Sequence, residues 1–108
     1  MRLLLDENLP KRLKLDFPEH EIFTVRDKQW NGHKNGELKI LLEKSFDSLL
    51  GYDKNLQNQQ NFSKYTITVF VLTAQINQYK ELTKLTTKVK AHLNSGHSPV
   101  GPVIIGSD

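Results

Sequence analysis

A chain of 108 residues is long enough for one compact core and too short for two ordinary domains, so a single domain over 1–108 is expected. With no cysteine it forms neither disulfides nor thiolate metal sites, and no apolar run approaches membrane-spanning length. The net charge of +3 and a pI of about 9.2 are a mild bias toward polyanionic partners, well short of a dedicated nucleic-acid coat. Met1-Arg2 with three leucines and then two acids is too short for a signal peptide, and the missing thiols fit a reducing cytoplasm. A cytoplasmic protein without membrane association is the expectation.

The first element is Leu3-Leu4-Leu5, an unbroken apolar run that reads as a strand buried on both faces, as a parallel sheet requires. Asp6-Glu7-Asn8-Leu9-Pro10 comes directly after it. Asn8 is expected to cap a helix from Asn8 to Asp16, with Pro10 in its first turn, Leu9 and Leu13 on one face and Pro18 ending it. Glu21 to Val25 alternates as a second strand, and Arg26 to Lys34, with Gly32 and Trp30, is polar loop. A second helix is expected from about Asn35 to Lys44 on the stripe Leu38, Leu41 and Leu42.

Phe46 to Leu50 reads as a third strand, and Gly51 to Asn55 as a turn into a short helix capped by Asn55. Thr66 to Leu72, with Ile67, Val69, Phe70, Val71 and Leu72, leaves little room for a solvated face and reads as a strong fourth strand. Tyr79, Leu82, Thr86, Val89 and Leu93 recur at helical spacing within a helix from Asn77 to Leu93. Gly96 to Pro102 is a loop, and Val103 to Ile105 a last strand. Alternating strands and helices imply an α/β fold with a mostly parallel sheet of four or five strands, flanked by helices and joined by right-handed crossovers.

Two acids fall at strand ends: Asp6 after the first strand and Asp53 after the third. Glu37, in the first turn of the second helix, reaches the same sheet edge if that turn faces the crevice. Open α/β sheets build their sites at the carboxyl ends of the strands, where residues distant in sequence meet. Gathered carboxylates repel one another unless a cation sits among them, and Mg²⁺ takes one or two carboxylates plus water and phosphate oxygens. Singly, each acid also has a structural use. Asp6 and Asp53 can cap helices, and Glu37 can complement a helix dipole.

Leu5-Asp6-Glu7-Asn8-Leu9-Pro10, Val25-Arg26-Asp27, Asn35-Gly36-Glu37-Leu38 and Asp53-Lys54-Asn55-Leu56, with Gln59-Gln60-Asn61, stand in an order and at a spacing that resemble the small PIN-like family opening with Asp-Glu-Asn-Leu. The resemblance covers about the first two-thirds of the chain. It implies a PIN-like three-layer fold and a Mg²⁺ or Mn²⁺ pocket in which Asp6, Glu37 and Asp53 are the metal-site and catalytic acids. It further implies a metal-dependent ribonuclease, RNA as substrate, the role of toxin in a toxin–antitoxin pair with a small antitoxin protein as partner, and a homodimer as an assembly open to the family. Three positions depart from the pattern: Asn35 and Asn55 stand where relatives carry acids, and Gly51 where a Thr is common. The pocket therefore loses negative charge, and a catalytically silent binding module is the counterpart reading.

Around the acids, Lys11, Arg12, Arg26, Lys28, Lys34 and Lys54 form a candidate basic rim for phosphates, with Arg26, Lys54 and Asn55 the substrate-binding candidates; individually, solvated lysines are the plainer explanation. Trp30 and Tyr52 can stack on bases or simply pin their loops. His20, His33, His92 and His97 lack metal-ligand spacing, and no phosphate-cradling glycine loop is present. A third reading is a phosphoacceptor receiver domain, with Asp6, Glu7 and the acceptor Asp53 in place and Thr73 after the fourth strand. The lysine expected after its fifth strand is missing at Gly106.

Overall fold

The three leucines near the start of the chain have no polar side to offer water, and they become an inner strand of a sheet. The computed structural model describes residues 2–6, 8–24, 40, 43–54, 65–96 and 99–106. Within these, β1 (Arg2–Leu5), β2 (Glu21–Thr24), β3 (Ser48–Tyr52), β4 (Thr68–Leu72) and β5 (Gly101–Ile105) form one sheet in the order β2-β1-β3-β4-β5. Every pairing is parallel. The expected α/β architecture is the one found, with the sheet at its five-stranded limit.

Alternation along the strands divides the core into two layers. Leu3, Leu5, Leu50, Phe70 and Leu72 face a six-residue 3-10 helix (Lys11–Asp16) and the long helix α1 (Tyr79–Ser95), where they meet Leu13, Phe17, Leu82, Leu85, Val89 and Leu93. Leu4, Leu49, Val69 and Val71 face the other way and pack with Phe46, Phe23, Tyr65 and Ile67. On that side residues 40 and 43–45 are helical. All five residues of β4 are buried, which is why its sequence lacks alternation.

The 3-10 helix is tied to α1 by one carboxylate. Asp16 accepts hydrogen bonds from Tyr79 Oη at 2.6 Å, Thr83 Oγ1 at 2.6 Å and Thr86 Oγ1 at 2.7 Å. Burial pushes the Asp16 carboxyl up. The hydroxyls of Thr83, Tyr79 and Thr86 and the charge of Lys90 together outweigh burial and lower it from the ordinary Asp value. At the amino edge, the Arg2 guanidinium lies over the rings of Phe23 and Phe46, 5.4 and 5.2 Å from their centroids, and pairs with Glu21 at 3.3 Å.

Several boundaries move from their expected places. Asn8 does not cap a helix. Pro10 holds the cap position with extended backbone (φ −61°, ψ 132°), and the element after it is a 3-10 helix rather than an α-helix from Asn8. β3 is displaced two residues toward the carboxyl end, so Gly51 and Tyr52 belong to the strand and Phe46 precedes it. α1 begins two residues late and ends at Gly96, whose φ of 75° suits a left-handed cap, with its N–H donating to Leu93 O at 3.4 Å. β5 starts at Gly101 because that N–H donates to Ile67 O at 3.0 Å and opens the ladder early. The connections carrying the 3-10 helix and α1 lie on one face while stepping in opposite directions across the sheet, so they have opposite hands. The expectation of uniformly right-handed crossovers fails for one of them.

Candidate functional site

β1 and β3 are neighbours at the point where the strand order reverses: the chain leaves β1 for β2 on one side and returns to β3 on the other. In doubly wound sheets the crevice beyond that pair of carboxyl ends is where ligands bind. Asp6 and Asp53 are the first residues past these two strands. The Asp6 N–H donates to Leu50 O at 2.9 Å and the Asp53 N–H to Leu72 O at 3.0 Å, so each backbone is still held by the adjacent strand where its side chain departs.

Register sets their relation. Leu5 pairs with Leu50, so Asp53 lies two residues farther along the strand direction than Asp6, about 7 Å. Asp6 is in phase with Leu4, and Asp53 with Leu49 through Gly51, and Leu4 and Leu49 belong to the same core layer. Gly51 is buried between them and adds no side chain on that face. Asp53 is itself buried, 6% exposed, while Asp6 is half-buried.

Tyr65 joins this layer, a residue to which sequence reasoning gave no role. Its phenol is pushed up by burial first, then by the carboxylates of Asp6 and Glu43, so it stays a neutral proton donor beside the acids. Glu43 accepts a hydrogen bond from Thr66 Oγ1, which places it at the foot of the same layer. Neither carries a sequence signal: Tyr65 precedes the β4 run by three residues, and Glu43 sits in an ordinary helix.

The opposite lip of the crevice is fastened. Leu9 N–H donates to Asp6 O at 3.0 Å, Asn77 Nδ2 to Asn8 O at 2.5 Å and Tyr52 Oη to Ala74 O at 2.7 Å, linking the loop after β1 and the end of β3 to the segment after β4. Tyr52 thus pins a loop, the plainer of its two expected roles. Lys54, directly after Asp53, is exposed. Glu37, Arg26, Asn55 and Trp30 lie outside the described residues, as do most of the second helix and the short helix expected after Asn55.

Among the described residues no group of three or more His, Cys, Asp or Glu side chains is placed to hold a metal ion. Two carboxylates at adjacent strand ends, one of them nearly buried, nevertheless match the hard-oxygen donor set that Mg²⁺ accepts alongside water and phosphate. Two cavities of about 600 and 380 Å³ open elsewhere, one between α1 and β5 and one beside Phe17 and His20. Neither includes Asp6 or Asp53, and in the larger one the Lys88 amine is already spent on Gly106 O. The candidate site is therefore the carboxylate pair and neither of these cavities. No helix among the described residues is long and apolar enough to cross a membrane. Comparison of the chain with family models, curated proteins and solved structures gave no match.

Proposed function

We propose that this chain is a metal-dependent ribonuclease of PIN-like type, acting in the cytoplasm as the toxin of a toxin–antitoxin pair and held in check by a small antitoxin protein. The observation that carries the reading is the placement of Asp6 and Asp53 at the carboxyl ends of the two adjacent strands where the sheet order reverses. Asp6 and Asp53, with Glu37 from the sequence pattern, would hold Mg²⁺ or Mn²⁺. When bound, such an ion lowers the pKa of water and offsets charge on a phosphate.

The rest is the work of the chain's own residues. Asp53 is nearly buried, and its carboxylate would be one oxygen ligand for a cation in the crevice. Asp6, half-exposed, faces the incoming phosphodiester. Lys54, exposed beside Asp53, would take a phosphate oxygen, as would Arg26 and Asn55 from their sequence positions. In hydrolysis a water oxygen forms the new bond to phosphorus, the bond to the leaving ribose oxygen breaks, and a proton passes to that oxygen. The Tyr65 phenol near Asp6 would add a hydrogen-bond donor to the site.

The test is cleavage of a mixed single-stranded RNA followed by gel. Cleavage abolished by chelator and by Asp6→Asn and Asp53→Asn is expected, with all variants folded by circular dichroism. RNA hydrolysis indifferent to chelator and to both substitutions would remove the proposal.

A second reading has one specific observation behind it. The order 2-1-3-4-5 is also that of receiver domains, and Thr73 follows β4 as their hydroxyl does. Here Thr73 Oγ1 donates to Ile105 O at 2.9 Å, and Gly106 stands where the partner lysine belongs. Mass spectrometry after incubation with a small acyl phosphate decides it: a phosphoryl group on Asp53 would favour the receiver.

A further inference from the structure

The net charge of this chain is not spread over its surface. Residues 8–20 and 77–96, which hold the 3-10 helix and α1 with their flanks, contain seven of the fifteen Lys and Arg but only three of the twelve Asp and Glu. That segment pair is net +4, while the whole chain is +3. One outer layer of the fold therefore carries all the surplus, and the remainder is slightly acidic.

The arrangement within the layer opposes folding. Lys80, Lys84 and Lys88 recur at i, i+4 along α1, a spacing at which like charges destabilise a helix. Lys88 is offset by Gly106 O, and Lys84 by an exposed contact to Glu81 at 3.5 Å, which is weak. Among the described residues Lys11 and Lys80 have no anionic partner, and both are exposed. Arg12, also exposed, lies over the Tyr79 ring with its guanidinium carbon 4.5 Å from the centroid. That stacking fixes a flat cation at the surface without neutralising it.

Position supplies the rest. Lys11 and Arg12 open the 3-10 helix that follows β1, and Lys80 is the second residue of α1, which follows β4. These cations stand at the carboxyl end of the sheet, as Asp6 and Asp53 do. The three hydroxyl bonds to Asp16 hold the two helices, and so the cations, in one fixed seam.

We propose that Lys11, Arg12, Lys80 and Lys84 form a binding track for the phosphate backbone of single-stranded RNA, running along the seam between the 3-10 helix and the first half of α1 and delivering the strand to the carboxylate edge. The proposal rests on the ribonuclease reading for its choice of polyanion. A single strand suits the seam because unstacked bases lie on the planar faces of Arg and aromatic groups, and Arg12 on Tyr79 presents such a face. Lys80 and Lys84 lie outside the basic rim expected from sequence.

The test is fluorescence anisotropy of a labelled single-stranded oligouridylate in chelator, which blocks metal-dependent cleavage, read over a series of salt concentrations. For single strands, the slope of log affinity against log salt falls by about 0.7 for each phosphate contact removed. The variants Lys11→Gln, Arg12→Gln, Lys80→Gln and Lys84→Gln are expected to lower it by about that amount each. Lys44→Gln, an exposed cation on the opposite layer, should leave it unchanged. Equal slopes for the seam variants and Lys44→Gln overturn the track, as does equally tight binding of polyglutamate, which would indicate an acidic protein partner. Binding in chelator and cleavage with metal are read separately. Retained binding with no cleavage under any metal therefore overturns the nuclease and keeps the track, whereas cleavage with unaltered salt slopes does the reverse.

Discussion

Asp16 is the residue whose removal is expected to tell most about how this fold is held. Its carboxylate accepts three hydroxyl hydrogen bonds at 2.6 to 2.7 Å, all from one stripe of α1, and it is the sole acceptor joining that stripe to the 3-10 helix among the described residues. A hydrogen bond to a charged group contributes about 1.5–3 kcal/mol in a well-buried setting. Asp16 is only half-buried and the three bonds share one charge, so simple addition overstates them. Asp16→Asn, which keeps the shape and loses the charge, is expected to cost about 2 kcal/mol, or about 1 M in the urea midpoint for a chain of this size. The pH dependence gives the sharper check. Because the carboxyl is lowered in the folded state, its contribution is fully present above the unfolded value of about 3.9 and is lost as pH falls through the lower folded value. The gap between the parent chain and Asp16→Asn in urea titrations should therefore be widest near neutrality and close on acidification below about pH 4. A gap that stays constant with pH, or a cost under about 0.5 kcal/mol at neutrality, would refute the assignment of the lock to charge.

Three further outcomes are expected. Ser48 is fully buried in β3 and its Oγ has no hydrogen-bond partner among the described residues, so Ser48→Ala should raise stability by about 1 kcal/mol, read as a higher urea midpoint. Tyr65 should titrate above the ordinary tyrosine value in an alkaline absorbance scan because of its burial and the nearby acids, and Asp6→Asn should bring it down by removing one of the two neighbouring carboxylates. Leu72→Ala empties a fully buried position where β4 meets α1, and a loss of about 3 kcal/mol in chemical denaturation is expected.

The legible parts of this fold were those where one physical signal dominated. Leu3-Leu4-Leu5 and the apolar run within Thr66–Leu72 read as strands buried on both faces, and the structure has them so, the second over Thr68–Leu72. Alternation predicts a strand over Glu21–Val25, and the structure has one over Glu21–Thr24; an apolar stripe predicts α1, which buries Leu82, Leu85, Val89 and Leu93. Boundaries slipped wherever long-range pairing overrode local preference. Gly51 is a turn residue by propensity, yet Val71 of β4 pairs with it and draws it into β3. Asn8 and Pro10 form a good helix start locally, but the Asn8 carbonyl is taken by Asn77, sixty-nine residues away, and the helix after Pro10 is a short 3-10 segment. The placement of Asp6 and Asp53 at one edge was legible because acids after apolar runs mark strand ends. Tyr65 was not, since its closeness to Asp6 depends on how two distant segments share a core layer.

The site's two sides are built on different terms. On the side of α1, the loop after β1 and the end of β3 are stitched to the segment after β4 by side-chain hydrogen bonds to backbone carbonyls, from Tyr52 to Ala74 and from Asn77 to Asn8. Such bonds fix backbone position without spending a charge, which suits a lip that has only to stay still. On the other side lie ionisable groups in a poorly solvated layer: Asp53 nearly buried, Asp6 half-buried, and Tyr65 kept neutral by burial and the acids around it. Carboxylates of like sign at one sheet edge gain from a cation placed between them, and binding of that cation to the folded chain stabilises it. Folding stability should therefore respond to divalent cations through Asp53 more than through Asp6, because the more buried charge gains more from being neutralised. Thermal unfolding with and without Mn²⁺ measures this directly: Asp53→Asn should erase most of the cation-dependent shift and Asp6→Asn a smaller part. The reverse ranking would mean that the half-exposed carboxylate is the principal ligand.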